Sequence, residues 1–188
     1  MLFRSFGAQD DNVVSLQPRR DIKPPLAAAA AAQTAPLTPL QRALFEIRQA
    51  DRGFDPAAFL TGARHAHEII ATAFASGERD TLKSLLDPAI YAHFDSAIAD
   101  RQAKNLKSEF SYVRLVSAEI VDAALKGRSG EITVRFTVEL ISALRDANDA
   151  IVEGDPNTVR QVTDVWTFAR DVKSDDPNWM LAATGSGA

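Results

Sequence analysis

The chain's 188 residues are enough for one domain plus a tail, and a domain of roughly 130–150 residues buries a sizeable core. An apolar fraction of 46% beside 24% charged residues is ordinary for a globular protein. The net charge of −4 argues against a nucleic-acid partner, which favours a basic field. With no cysteine, disulfides, thiolate zinc sites and thiol catalysis are excluded, and no stretch reaches the ~18–20 apolar residues of a membrane span.

Residues 1–36 read as a disordered Pro/Ala-rich tether. Pro18, Pro24, Pro25 and Pro36 flank the run Ala27 to Ala32, and no apolar periodicity defines a buried face. Thr38-Pro39-Leu40-Gln41 combines an N-cap hydroxyl, proline at the first helical position and Gln three residues after the cap. It opens an amphipathic leading helix within 37–53, with Leu40, Leu44 and Ile47 on one stripe. Asp55-Pro56 opens a second helix, whose Phe59, Ala63, Ala66, Ile70, Ala73 and Phe74 follow a 3.6-residue period up to Gly77. A short helical stretch holds Leu82, Leu85 and Leu86. Asp87-Pro88 then starts a helix carrying Ile90, Tyr91, Phe94 and Ile98.

From Ser108 the period falls to two. Phe110 to Asp122 reads as a long strand, and the turn Lys126-Gly-Arg-Ser-Gly130 follows it. Glu131 to Leu140 alternates, with Ile132, Val134, Phe136, Val138 and Leu140 on one face. Ala150 to Glu153 reads as a short return segment, set off by a Gly154-Asp-Pro-Asn157 turn. Val159 to Asp171 and Asn178 to Thr184 are the remaining strands. Helices followed by antiparallel strands predict an α+β fold, with amino-terminal helices packed on a curved sheet of about four strands. Such a cone offers an open mouth.

Alternation along Asp164-Val-Trp166-Thr-Phe168-Ala-Arg170 places Asp164, Trp166, Phe168 and Arg170 on one face. Two readings stay open: a ligand-pocket wall of Phe136, Trp166 and Phe168 with Asp164 and Arg170 at its polar margin, or a core face whose Asp and Arg form an ion pair. His65 and His67, two apart on a helix, point in different directions and cannot share a metal; His93 stands alone. All three are expected at the surface or its boundary. No metal-ligand spacing or phosphate loop appears, so no cofactor, metal or catalytic residue is assigned. On the leading helix, Leu40, Arg42, Leu44, Phe45 and Arg48 suit contact with an anionic membrane surface or a partner; docking on the domain is the alternative.

Four segments in register resemble the Tim44-like domain family, in the short form of alphaproteobacteria. They are Phe54-Asp-Pro-Ala-Ala-Phe-Leu-Thr-Gly-Ala63 with His67-Glu-Ile-Ile70 and Ala73-Phe-Ala-Ser-Gly77; Leu85-Leu-Asp-Pro-Ala-Ile-Tyr-Ala-His-Phe94; Asp164 to Asp171; and Ser174-Asp-Asp-Pro-Asn-Trp179. The resemblance covers about 37 to 184 and bounds the domain at 54–185. It implies a cone of the nuclear-transport-factor-two-like kind. In mitochondria the namesake tethers a heat-shock chaperone motor to the inner-membrane channel and associates with cardiolipin-containing membranes.

The implied role is a non-catalytic adaptor, linked to protein translocation or membrane-protein biogenesis. It would sit peripherally at the cytoplasmic face of the inner membrane and bind cardiolipin-like lipid, an inner-membrane protein or a chaperone. Members often begin with a membrane-spanning helix, and Leu2-Phe-Arg-Ser-Phe-Gly7 resembles the end of such a region with the span missing. The chaperone-recruiting segment has no counterpart in residues 1–36. An isomerase or dehydratase on the same cone, and a structural dimerisation module, are the alternatives; the oligomeric state is open, with a dimer admitted.

Overall fold

The computed structural model describes residues 36–187; the tether expected over 1–36 lies, but for Pro36, outside the described residues. Four helices precede four strands: α1 (Pro39–Ala50), α2 (Pro56–Ser76), α3 (Arg79–Leu85), α4 (Pro88–Ala103), β1 (Lys107–Lys126), β2 (Ser129–Arg145), β3 (Ile151–Asp171) and β4 (Met180–Ser186). The strands form one antiparallel sheet in the order β1-β2-β3-β4. The α+β arrangement expected from the change of period is therefore present.

The helix starts follow their caps. Gln41 N–H donates to Thr38 Oγ1 at 3.2 Å while Thr38 N–H donates to Gln41 Oε1 at 2.9 Å, a reciprocal capping box. The Asp55 and Asp87 carboxylates accept from Ala58 and Ala89 N–H, each with proline in the first turn. Gly77, at φ +77°, ends α2 in the left-handed conformation that suits glycine.

β2 runs through the middle of the core: Ile132, Val134, Phe136 and Val138 are fully buried, as their alternation requires. Facing them are Phe59, Ala63, Ile70 and Ala73 of α2, with Ile47 of α1 and Leu82 and Ile98 of α3 and α4 completing the cluster. Both α1 and α2 lie against β1. Three register shifts in β1, between Tyr112 and Arg114, Leu115 and Ser117, and Ile120 and Asp122, each insert an extra residue. Such bulges bend a strand and increase its twist, and β1 has three in twenty residues.

The sequence expected a turn to separate two segments before Val159, but β3 is continuous from Ile151. The Gly154–Asn157 turn chemistry survives inside the strand as a bulge. Leu140 pairs with Arg160 while Ser142 pairs with Asp155, so residues 156–159 leave the ladder. The Asp155 carboxylate holds this loop by accepting from Asn157 N–H and Thr158 Oγ1. Turn residues thus mark an interruption of pairing, and tertiary pairing decides whether the chain reverses there.

Candidate functional site

The inward row of β3 falls as alternation predicts, but its polar ends serve different partners. In register, Phe136 stands opposite Asp164, Val134 opposite Trp166, Ile132 opposite Phe168 and Gly130 opposite Arg170. Asp164 and Arg170 do not pair. Asp164 Oδ2 lies 3.0 Å from His67 Nε2, and His67 Nδ1 lies 3.2 Å from the Tyr112 hydroxyl. The arrangement that satisfies all three has Tyr112 donating to Nδ1 and Nε2–H donating to Asp164.

His67 is the main correction to the surface assignment of the histidines. It is 1% exposed, whereas His65 and His93 are exposed. Its ring packs against both Phe136 and Trp166, with centroids 4.4 and 4.2 Å away, and those two rings also touch each other at 5.9 Å. The residues expected to wall a pocket therefore enclose a histidine. A missed signal lay in the helix: 59, 63, 67 and 70 follow i, i+4, i+8 and i+11, so His67 shares the buried stripe of α2. Asp164 keeps 26% of its side chain in contact with solvent.

Burial, aided by the nearby Glu68 and Asp164 carboxylates, pushes the Tyr112 hydroxyl up to about 12. Because the folded pKa is raised above the ordinary tyrosine value of 10.0, this contribution to stability is complete below pH 10 and is lost as pH rises toward 12. Alkaline titration followed by tyrosinate absorbance is expected to show a late step near pH 12 that Tyr112→Phe removes. A single early transition in both proteins would contradict the assignment.

Arg170 turns the other way, toward the start of the domain. Its Nη1 meets Asp51 Oδ2 at 2.5 Å, and its Nε and Nη2 donate to the carbonyls of Asp176 and Ser174 at 2.8 and 3.2 Å. Lys173 Nζ adds a bond to Ala50 O at 3.0 Å, at the carbonyl end of α1 where a cation is favoured. Gly130 makes room beside this knot: a Cβ there would stand 2.9 Å from Val172 Cγ1 and 3.2 Å from the Trp179 ring.

Next to the knot opens a cleft of about 380 Å³. Phe54, Phe59, Phe168 and Trp179 line one side, their ring centroids 5.0 to 6.2 Å apart in tilted or edge-on contacts. Apart from Phe59, α2 gives the cleft small lining residues: Ala58, Gly62, Ala63 and Ala66. Phe168 and Arg170 are the two expected site residues that reach it; Phe136, Asp164 and Trp166 belong to the His67 enclosure instead. Sequence reading left Phe54, Phe59 and Trp179 unassigned as lining because they come from three separate elements.

On α1, Leu40 and Leu44 pack against the core and Ile47 is fully buried, so the apolar stripe is occupied by the domain itself. Arg42 and Arg48 are exposed, and Phe45 is 53% exposed, so these three point away from the core. Among the described residues, no helix is long and apolar enough to cross a membrane. Nor do any three His, Asp or Glu side chains gather as metal ligands there.

The Tim44-like domain family model matches residues 40–186. The chain is 32% identical over 141 residues to the human mitochondrial import inner membrane translocase subunit TIM44, spanning 71% of this chain and 30% of that protein. It is 30% identical over 149 residues to the mouse subunit, spanning 74% and 31%. The chain thus covers less than a third of the length of these relatives. Among solved structures, the intermembrane space region of the chloroplast protein ARC6 is similar at a TM-score of 0.48 and 14% identity, over 68% of this chain and 95% of that one. On the family match across most of its length, the chain belongs to the Tim44-like domain family.

Proposed function

We propose that this chain is a non-catalytic adaptor acting in protein translocation or membrane-protein biogenesis at the cytoplasmic face of an inner membrane. Its cleft takes an extended apolar segment of a partner protein, and the outward face of α1 rests on anionic, cardiolipin-like lipid. The observation that carries this reading is the lining of the cleft. Four aromatic rings face it, while its titratable groups are committed to the fold: Asp55 caps α2 and Arg170 pairs with Asp51. Both side chains thus have a part in holding the fold, and the buried His67 does not line the cleft.

Gly62 supports the same reading. Glycine inside a helix costs ~1 kcal/mol relative to alanine, yet a Cβ at this position would meet nothing within 4 Å. Packing gives no reason for it, whereas room for a guest side chain does. For the membrane, Arg42 and Arg48 flank Phe45 on the exposed side of α1, which suits an aromatic wedge among anionic headgroups.

Flotation of the full chain with vesicles tests the lipid contact. Binding is expected to cardiolipin-containing vesicles and to fall about fivefold for each of Arg42→Gln and Arg48→Gln, since each basic residue near an anionic surface contributes ~1 kcal/mol. Equal flotation on neutral phosphatidylcholine, or no change in the variants, would remove α1 from the account.

A further inference from the structure

At the opposite end of the sheet, where α2 and α4 finish, lies a second cavity of about 460 Å³ that shares no lining residue with the aromatic cleft. Its volume lies within the ~300–1,000 Å³ of small-molecule sites. Phe74, Leu106, Ala143 and Leu144 supply apolar wall. Arg101, Lys104 and Arg160 bring three cations, against the carboxylates of Asp100 and Glu153.

Local contacts set two of these cations, Arg101 and Arg160. Arg101 Nη2 donates to the carbonyls of Phe74 and Ala75 at 2.8 and 3.0 Å, capping the end of α2, and the guanidinium lies 5.4 Å from the centre of the Phe74 ring. Its Nε and Nη1 donate to no group among the described residues. Arg160 is brought round by the bulge in β3. There Gly154, at φ +77°, passes so close to β2 that a Cβ would stand 2.1 Å from Ser142 O. Arg160 Nη2 then donates to Ser142 Oγ at 2.6 Å and leaves its other N–H groups free of partners among the described residues. A bulge that redirects a side chain is a recurrent feature of ligand sites.

The geometry points to a second binding site, for a single-chain amphiphile with one compact anionic head. Apolar walls call for a hydrocarbon tail. Three cations against two carboxylates leave one net positive charge, which favours a monoanion and opposes a polyphosphate. Guanidinium groups with unused N–H bonds are suited to carboxylate or phosphate oxygens. This inference stands apart from the adaptor reading, because it rests on other residues and its loss leaves the aromatic cleft untouched.

Calorimetric titration of the full chain with decanoate, decyl phosphate and decanol tests it. The two anions separate a carboxylate source from a phosphate one; binding of either, with decanol at least about tenfold weaker, is the expected result. The variant Arg160→Gln is expected to weaken the anion about tenfold, for the loss of one charge-assisted contact at ~1.4 kcal/mol. Ala97→Trp, at an exposed lining position on α4, should abolish binding without disturbing the core, and Gly62→Trp, which fills the other cleft, should leave it intact. The inference is overturned if neither anion binds, if decanol binds as well, or if Gly62→Trp rather than Ala97→Trp blocks the ligand.

Discussion

Replacing Arg170 with alanine is expected to lower the unfolding free energy by about 3–5 kcal/mol, the cost of stranding one member of a buried ion pair. The side chains of Arg170 and Asp51 are only 12% and 14% exposed, so water compensates little of the lost charge pairing. The variant also leaves the carbonyls of Ser174 and Asp176 without their guanidinium donor. Urea denaturation gives the difference directly. Replacing both partners, as Asp51→Leu with Arg170→Met, should recover much of it, because an apolar pair carries no uncompensated charge. If Arg170→Ala unfolds within about 1 kcal/mol of the parent chain, the pair is not the fastening described here.

The second large effect belongs to His67. Truncation to alanine removes a ring packed against Phe136 and Trp166 and unties Tyr112 from Asp164. Large-to-small changes at such sites cost about 3–5 kcal/mol for an aromatic, and about 3 is expected here because the two polar partners retain access to water. His65→Ala and His93→Ala, both at exposed helical positions, should stay within about 0.5 kcal/mol. Equal losses at all three histidines would show that burial is not the cause. His67→Phe should recover part of the packing loss while leaving Tyr112 and Asp164 unpaired, which separates the packing contribution from the hydrogen bonds.

Much of the scaffold was legible because its determinants are local. The Thr38 and Gln41 side chains sit three residues apart and cap α1 between themselves, and Asp-Pro pairs start α2 and α4. Alternation from Ile132 to Val138 fixes the buried face of β2 with no knowledge of its neighbours. The site was less legible because its determinants are paired at a distance. Strand alternation assigns Asp164 and Arg170 to one face, yet says nothing of which groups approach them from other elements. Their partners, His67 and Asp51, lie 97 and 119 residues away. His67 was recoverable from the helical period alone, because it continues the stripe of Phe59 and Ala63. Asp51, one residue beyond the end of α1, carries no periodic mark.

The Arg170–Asp51 contact and its neighbours also govern the order in which the domain is completed. Lys173 reaches back to Ala50, and Asp87 N–H bonds to Leu181 O at 2.8 Å, so early helices are fastened by residues made last. As the chain emerges from a ribosome, α1 and α2 acquire their caps at once but lack these anchors until the fourth strand is out. High sequence separation of this kind slows folding, since a long loop closes before its contacts repay the entropy. A nascent chain halted before Arg170 therefore holds Asp51 without its counter-charge and Phe54 and Phe59 without the Trp179 ring that covers them in the finished domain.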